Sequence, residues 1–170
     1  MGILDGNPKD EPLHYGEVFN LWSYLCAGQG VHVLYQTLSN HAGDEDLKEL
    51  LKDIIKKSAE QIKQVKVILK ENGVLLPPSP PEPPAAKLED IPAGARIMDP
   101  EICAIIGADL ATGLMGCSQI MAQSIREDIA KLFGQFHMEK ALLGESTLKL
   151  SKEKGWLIPP PLHQSGSDHA

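Results

Sequence analysis

Apolar residues recur along this chain at intervals of three and four rather than two, so the pattern is helical. Over about 12–40, Val18, Trp22 and Leu25 make one stripe, and Leu21, Tyr24, Val31, Tyr35 and Leu38 make an adjacent one. Pro12 stands at the first turn, where its missing N–H costs nothing. The segment His41-Ala42-Gly43-Asp44 breaks this helix, and Asp44 is placed to cap a second over about 44–72. Leu47, Leu51, Ile54, Ile62, Val65 and Leu69 hold the apolar face of the second helix. Lys52, Asp53, Lys56, Lys57, Glu60, Lys63 and Lys66 predict a solvated opposite face, and Asn72-Gly73 supplies a left-handed stop. A third helix is expected over about 99–122, with Asp99 as cap and Pro100 at its first position. A fourth is expected over about 125–153, opened by the capping box Ser124-Ile125-Arg126-Glu127.

The third helix differs in kind from the others. From Ile102 to Gln123 its single charged residue is Asp109. A helix that is apolar nearly all round is usually buried on more than one face, so self-association through 99–122 is expected. Its length of ~20 residues also suits a membrane span. Asp109, Ser118, Gln119 and the amphipathic neighbouring helices favour a bundle in water instead.

Between the second and third helices, 74–98 contains Pro77-Pro78-Ser79-Pro80-Pro81-Glu82-Pro83-Pro84, which can be neither helix nor central strand. At ~3.1 Å per residue this strap reaches up to ~75 Å, against ~42 Å for a helix of ~28 residues. It can therefore run the length of a bundle and leave helices 2 and 3 parallel. The fold class is all-α, a ferritin-like four-helix bundle with a long Pro-rich crossover between helices 2 and 3. One domain is expected over 1–163, with a disordered tail at 164–170. In the alternative, the strap folds back and helix 3 runs antiparallel to helix 2. A loose Pro-rich ligand for a partner's groove is the other reading of the segment.

At 170 residues the chain is long enough for one domain that buries about two thirds of its unfolded surface. A net charge of −7 without a basic face argues against nucleic acid or an anionic membrane as partner. The three cysteines Cys26, Cys103 and Cys117 are an odd number, and Cys103 and Cys117 lie on one helix ~21 Å apart, beyond bonding distance. A reducing, cytoplasmic setting fits them. The opening MGILDGNPKDEP has no secretion signal, and Gly6 stands where an acylation motif wants Ser or Thr. Gly28-Gln29-Gly30 follows no strand and is read as a weak point or close contact in the first helix, not a nucleotide loop.

Several runs resemble a ferritin-like family of unknown function from spore-forming bacteria, related to spore coat protein F. They are Gly6-Asn7-Pro8-Lys9, Leu13-His14-Tyr15-Gly16-Glu17, His41-Ala42-Gly43-Asp44 and Lys70-Glu71-Asn72-Gly73. They continue with Ile91-Pro92-Ala93-Gly94-Ala95-Arg96, Ser124-Ile125-Arg126-Glu127-Asp128-Ile129, Phe133-Gly134-Gln135-Phe136-His137 and Lys152-Glu153-Lys154-Gly155-Trp156-Leu157. The resemblance covers nearly the whole chain. It implies the four-helix fold and a link to the spore coat, with coat proteins as partners, and it carries over no catalytic residue.

A di-iron bundle needs a carboxylate from each of two helices and a Glu-x-x-His pair from each of the other two. Here Glu60 is followed three residues on by Lys63, His137 is preceded by Gly134, and Glu11 and His14 straddle Pro12 at the helix start. At most half the ligands survive. A smaller set remains, because the topology brings His32, Asp109 and His137 to similar depth, and two histidines with a carboxylate can hold one zinc, manganese or iron. The competing reading is that Asp109 accepts hydrogen bonds from His137, a tyrosine or a cap, forming a buried polar pair that fixes helix register. His14 and Glu17 are a second candidate ligand pair, set against a solvated helix end. His41 and His163 are given no role. Each cysteine lies among apolar residues, and capping explains Ser124, so no catalytic residue is assigned. Two readings follow: a non-catalytic structural or interaction protein, and a mononuclear metal-binding or redox protein.

Overall fold

The computed structural model describes residues 11–163; the expected tail at 164–170, Gly6-Asn7-Pro8-Lys9 and the acylation position lie outside them. The helices are α1 (Tyr15–His41), α2 (Glu45–Glu71), α3 (Asp99–Gln123) and α4 (Glu127–Glu153), and there is no strand among the described residues. α1 packs on α2 and α3 on α4 as two hairpins, and α1 also lies beside α3 and α2 beside α4.

From α2 to α3 the chain is extended apart from single 3₁₀ turns at Leu88–Asp90 and Ala93–Ala95. It travels along α1. Trp22 Nε1 donates to the Leu75 carbonyl at 3.0 Å. The Asn40 side chain donates to the Pro84 carbonyl and accepts from the Ala86 N–H, both at 3.1 Å. Ile97 N then donates to His41 Nδ1 at 3.1 Å, at the last residue of α1. α3 therefore begins where α1 turns into α2. The Asp99 carboxylate marks the same corner, accepting the N–H groups of Gly43 at 2.8 Å and Asp44 at 3.1 Å. α3 runs parallel to α2, so the arrangement with the two antiparallel is not the one adopted.

The helix ends correct three expectations. α1 starts at Tyr15 and not near Pro12, because His14 is the N-cap and its Nδ1 accepts from Gly16 N at 3.0 Å. α3 already includes Asp99, whose carboxylate is spent on the α1–α2 turn and does not cap its own helix. Ser124 does not open α4: its hydroxyl donates back to the Ile120 carbonyl at 2.7 Å and so closes α3.

The acceptor for the α3–α4 turn comes from α1. Glu17, 1% exposed, takes the N–H groups of Ile125 at 2.9 Å and Arg126 at 3.0 Å on Oε1. Its Oε2 takes His14 N at 3.2 Å. Arg126, also buried, forks onto Asp128 at 3.0 and 2.7 Å and reaches the Glu11 carbonyl at 3.1 Å. At the opposite end Asp44 caps α2 through Asp46 N and Leu47 N and receives Lys154 Nζ from the end of α4 at 2.7 Å. Gly73 (φ 69°) and Gly155 (φ 71°) take the left-handed conformation that ends α2 and α4, and Trp156 then packs on the core.

The interior falls into two apolar clusters. One, around Leu38, Leu51, Ile54, Ile102, Ile106 and Leu150, fills the end near the α1–α2 turn. The other, around Leu21, Leu25, Val65, Leu69, Phe133 and Phe136, fills the end near the α3–α4 turn. Each such side chain contributes about 1.5–3 kcal/mol by leaving water. α3 is buried on one side only. Ala104, Ala108, Ala111, Met115, Ser118 and Ala122 form an exposed stripe, and 28% of its most apolar window is inside the bundle. By length and composition alone this helix could cross a membrane.

Glu17→Ala leaves three N–H groups without their acceptor. At about 1–3 kcal/mol for each orphaned buried donor, a loss of about 3 kcal/mol or more is expected, or a Tm lowered by about 6–12 °C. Glu17→Gln, which keeps one carbonyl oxygen, should lose less. Thermal denaturation followed by circular dichroism measures both, and a fall below about 1 kcal/mol for the alanine variant would count against the clamp.

The Asp44–Lys154 tie predicts a pH dependence. The hydrogen bond from Lys154, with those from Leu47 and Asp46, holds the Asp44 carboxyl below its usual 3.8. Asp44 and then Asp46 hold the Lys154 ammonium above its usual 10.5. The lowered acid stabilises above pH 3.8 and loses this as pH falls through its folded value; the raised amine stabilises below pH 10.5 and loses this as pH rises through its own. Lys154→Met should therefore lower the Tm at about pH 7 and match the wild type near about pH 2. An equal deficit at both values would show that the lost contact is not ionic.

Candidate functional site

Between the two apolar clusters lies a polar layer to which every helix contributes. Tyr24 Oη on α1 donates to Gln61 Oε1 on α2 at 2.9 Å, and Gln61 Nε2 donates to Glu139 Oε2 on α4 at 2.7 Å. The Tyr35 hydroxyl on α1 donates to the Asp109 carboxylate on α3. Tyr24 sets its ring against Phe133 edge-on at 4.9 Å and against Phe136 in a stack at 6.0 Å. Lys140 Nζ stands 5.8 Å from the centre of the Tyr24 ring. Burial pushes the hydroxyls of Tyr24 and Tyr35 well above the ordinary phenol range, and Asp109 adds to this at Tyr35, so both remain protonated donors. Burial likewise raises the Cys117 thiol, which keeps it a poor nucleophile.

This layer borders a cavity of about 350 Å³ between α1 and α3. Ala27, Gly28 and Val31 line it from α1, Gly113, Gly116 and Ile120 from α3, and Ile54, Ile62, Lys140 and Leu143 from the other two helices. Lys57, read from the sequence as solvated, is half-buried at its edge and paired with Asp53 at 3.4 Å.

The expected metal set of His32, Asp109 and His137 is not assembled. Among the described residues no three histidine, cysteine or acidic side chains come together in a way that could hold an ion. His32 faces a different groove, between α1, α2 and the strap, whereas Asp109 lines the α1–α3 cavity. Ser58 spends its proton on the Ile55 carbonyl at 2.8 Å, so His32 Nδ1–H donates to Ser58 Oγ at 2.7 Å. The Nε2 lone pair then accepts from Gln36 Nε2 at 3.3 Å, which occupies the nitrogen a metal would need. Burial lowers the His32 pKa and favours this neutral form. His137 is half-buried on α4 and lines neither space. His14 and Glu17 are adjacent, Nε2 to Oε2 3.7 Å, but as parts of the α1 cap with their acceptors occupied by backbone N–H groups.

A di-iron centre does not fit here either. At mid-bundle the chain offers two tyrosines, a glutamine, a lysine and the carboxylates of Asp109 and Glu139, each already holding a hydrogen-bond donor. The tyrosine that the sequence allows as a donor to Asp109 is Tyr35, whereas the sequence assigns no role to Tyr24, Gln61 or Glu139. For Tyr24 and Tyr35 the inward stripe of α1 was the available signal; Gln61 and Glu139 had none beyond a polar residue at an inward position.

Tyr35→Phe removes the donor on Asp109 and should cost about 1–3 kcal/mol in urea unfolding. Asp109→Ala should cost a similar amount, and the double variant less than the two single losses added, by about 0.5–3 kcal/mol. Strict additivity would show that the two do not act as a pair.

The model of a family described as protein of unknown function, DUF3231, matches residues 1–168. The uncharacterised protein YvdQ of Bacillus subtilis (strain 168) is 63% identical over 163 residues, 96% of each chain. A crystal structure from Bacillus halodurans C-125, of a protein provisionally described as a spore coat protein, has TM-score 0.91 and 56% identity, covering 94% of this chain and 100% of that one. With a family model spanning nearly the whole chain and a relative of this identity, the chain belongs to the DUF3231 family.

Proposed function

We propose that this protein is a non-catalytic, ferritin-like bundle of the spore coat that acts by assembling with copies of itself and with other coat proteins. The observation that carries the reading is the outer face of α3. Ala104, Ala108, Ala111, Met115, Ser118 and Ala122 lie in one exposed, uncharged stripe, with Met115 66% exposed. On the surface of the remaining helices Phe19, Met138, Leu142 and Leu148 are also exposed. An exposed apolar face of this kind marks an interaction surface. Small side chains let a partner helix approach closely. The polar layer supports a structural role, since Tyr35 is bonded to Asp109 and Gln61 links Tyr24 to Glu139 across the helices. The description of the Bacillus halodurans relative supports the cellular setting, and the single strap crossover supports the ferritin-like placement.

Sedimentation or light scattering at micromolar concentration should find a dimer or larger species. Ala108→Glu with Met115→Glu should return it to a monomer while changing fold stability by less than about 1 kcal/mol, because both sites are exposed. A wild type that is strictly monomeric would sink self-association. A fluorescent fusion that stays out of the coat, with an unchanged coat in a deletion strain, would sink the coat assignment and leave the assembly test standing.

A further inference from the structure

Three glycines stand in the walls of the α1–α3 cavity where the backbone does not ask for them. Gly28, Gly113 and Gly116 are inside helices, and the glycines with positive φ are Gly73 and Gly155. A Cβ at Gly116 would meet nothing within 4 Å, and one at Gly28 would meet only Ile62 Cγ1 at a normal 3.8 Å. The helices at these points are therefore not pressed so close that a side chain is excluded. Glycine inside a helix weakens it relative to alanine, so what these two positions gain is open volume. Gly113 does something else. A Cβ there would lie 2.9 Å from Lys140 Cδ, so the glycine lets the Lys140 stem cross α3 at the cavity.

The Lys140 ammonium is the second observation. Among the described residues it has no carboxylate within 4.0 Å, and unlike the other lysines that share this, such as Lys63 and Lys131, it lines the cavity. Its neighbour Glu139 is turned to Gln61, and the ammonium rests near the Tyr24 ring. Lys57, the other cation at the cavity, is already paired with Asp53.

Shape is the third. The cavity follows α1 from Phe19 to Tyr35, ~24 Å at ~1.5 Å per residue, in a volume of about 350 Å³. The surface it exposes is mostly apolar, from residues such as Val31, Ile54, Ile120 and Leu143, and of its polar lining residues Asp109 already holds Tyr35 and Gln61 already links Tyr24 to Glu139. A nucleotide or sugar would need more convergent polar groups than such walls present. A slender apolar chain with one negative end matches all three observations. We propose that the α1–α3 cavity binds a single-chain fatty-acid anion, its carboxylate beside Lys140 and its alkyl chain along the space opened by Gly28 and Gly116.

The probe is cis-parinarate, a fluorescent fatty acid, titrated into the full-length protein below the concentration at which the acid aggregates. The expected result is saturable binding of one probe per chain, displaced by palmitate about tenfold better than by hexadecanol, as for a contact made to a charge. Lys140→Met keeps the stem and should erase that preference without blocking the alcohol. Gly116→Leu fills the cavity and should abolish binding of both. Gly28→Leu, at the other wall, should do the same, so a variant that fails to fold by circular dichroism does not decide the outcome. Absence of saturable binding overturns the proposal. So does binding that survives both leucine variants, which would place the probe on the exposed face of α3, or equal displacement by acid and alcohol. The coat assembly proposed above is tested separately, because Ala108→Glu with Met115→Glu leaves this cavity untouched.

Discussion

The proline-rich strap is the constraint from which the rest of the bundle follows. A segment that cannot be helical has to leave α2 at one end and deliver α3 at the other, and it does so by bonding to Trp22, Asn40 and His41 along α1. Once α3 starts beside the α1–α2 turn, its end must lie beside the start of α1. That places the α3–α4 turn within reach of Glu17. The end of α4 then returns to Asp44. Each end of the molecule is closed by a carboxylate that the crossover has brought to it, and every neighbouring pair of helices is antiparallel.

Apolar burial alone would not hold this arrangement in register. Two apolar clusters on either side of a polar layer can slide only by taking Tyr35 off Asp109 and Gln61 off Glu139. A buried group left without its partner costs more than the bond itself contributes, so the layer penalises every shifted packing. Where a ferritin-like centre would gather carboxylates and histidines around metal, this layer uses phenols and an amide. Tyr35 holds one oxygen of Asp109 and Gln61 one oxygen of Glu139, and among the described residues no third metal-binding side chain joins either carboxylate.

The cost of the design falls on α1 and α3. Glycines at their facing surfaces weaken both helices and open a space beside the polar layer, while the outer face of α3 stays apolar and uncovered. These are different surfaces of the same helix. One faces inward to a cavity lined by the Lys140 ammonium and the other outward to solvent, and their chemistry suits different kinds of partner.

Local chemistry was enough to make the helices legible in the sequence. The three- and four-residue spacing of Leu47, Leu51, Ile54 and Leu69, the Asp44 cap and the stop at Gly73 depend on neighbours within a turn or two, and they stand in the structure as the sequence implies. The length of the strap against the length of a helix also made parallel α2 and α3 accessible to simple geometry. What the tertiary structure alone decided were partnerships between distant residues. Glu17 looked like half of a ligand pair because the N–H groups it accepts, those of Ile125 and Arg126, lie 108 and 109 positions away. Ser124 fitted a capping box, but an acceptor supplied by Glu17 took the place of its hydroxyl, which turned back to Ile120. His32 and Asp109 were legible as polar residues on apolar helices. That they face separate spaces and are satisfied by Ser58, Gln36 and Tyr35 depends on helix rotation, which packing across all four helices sets and no single helix encodes.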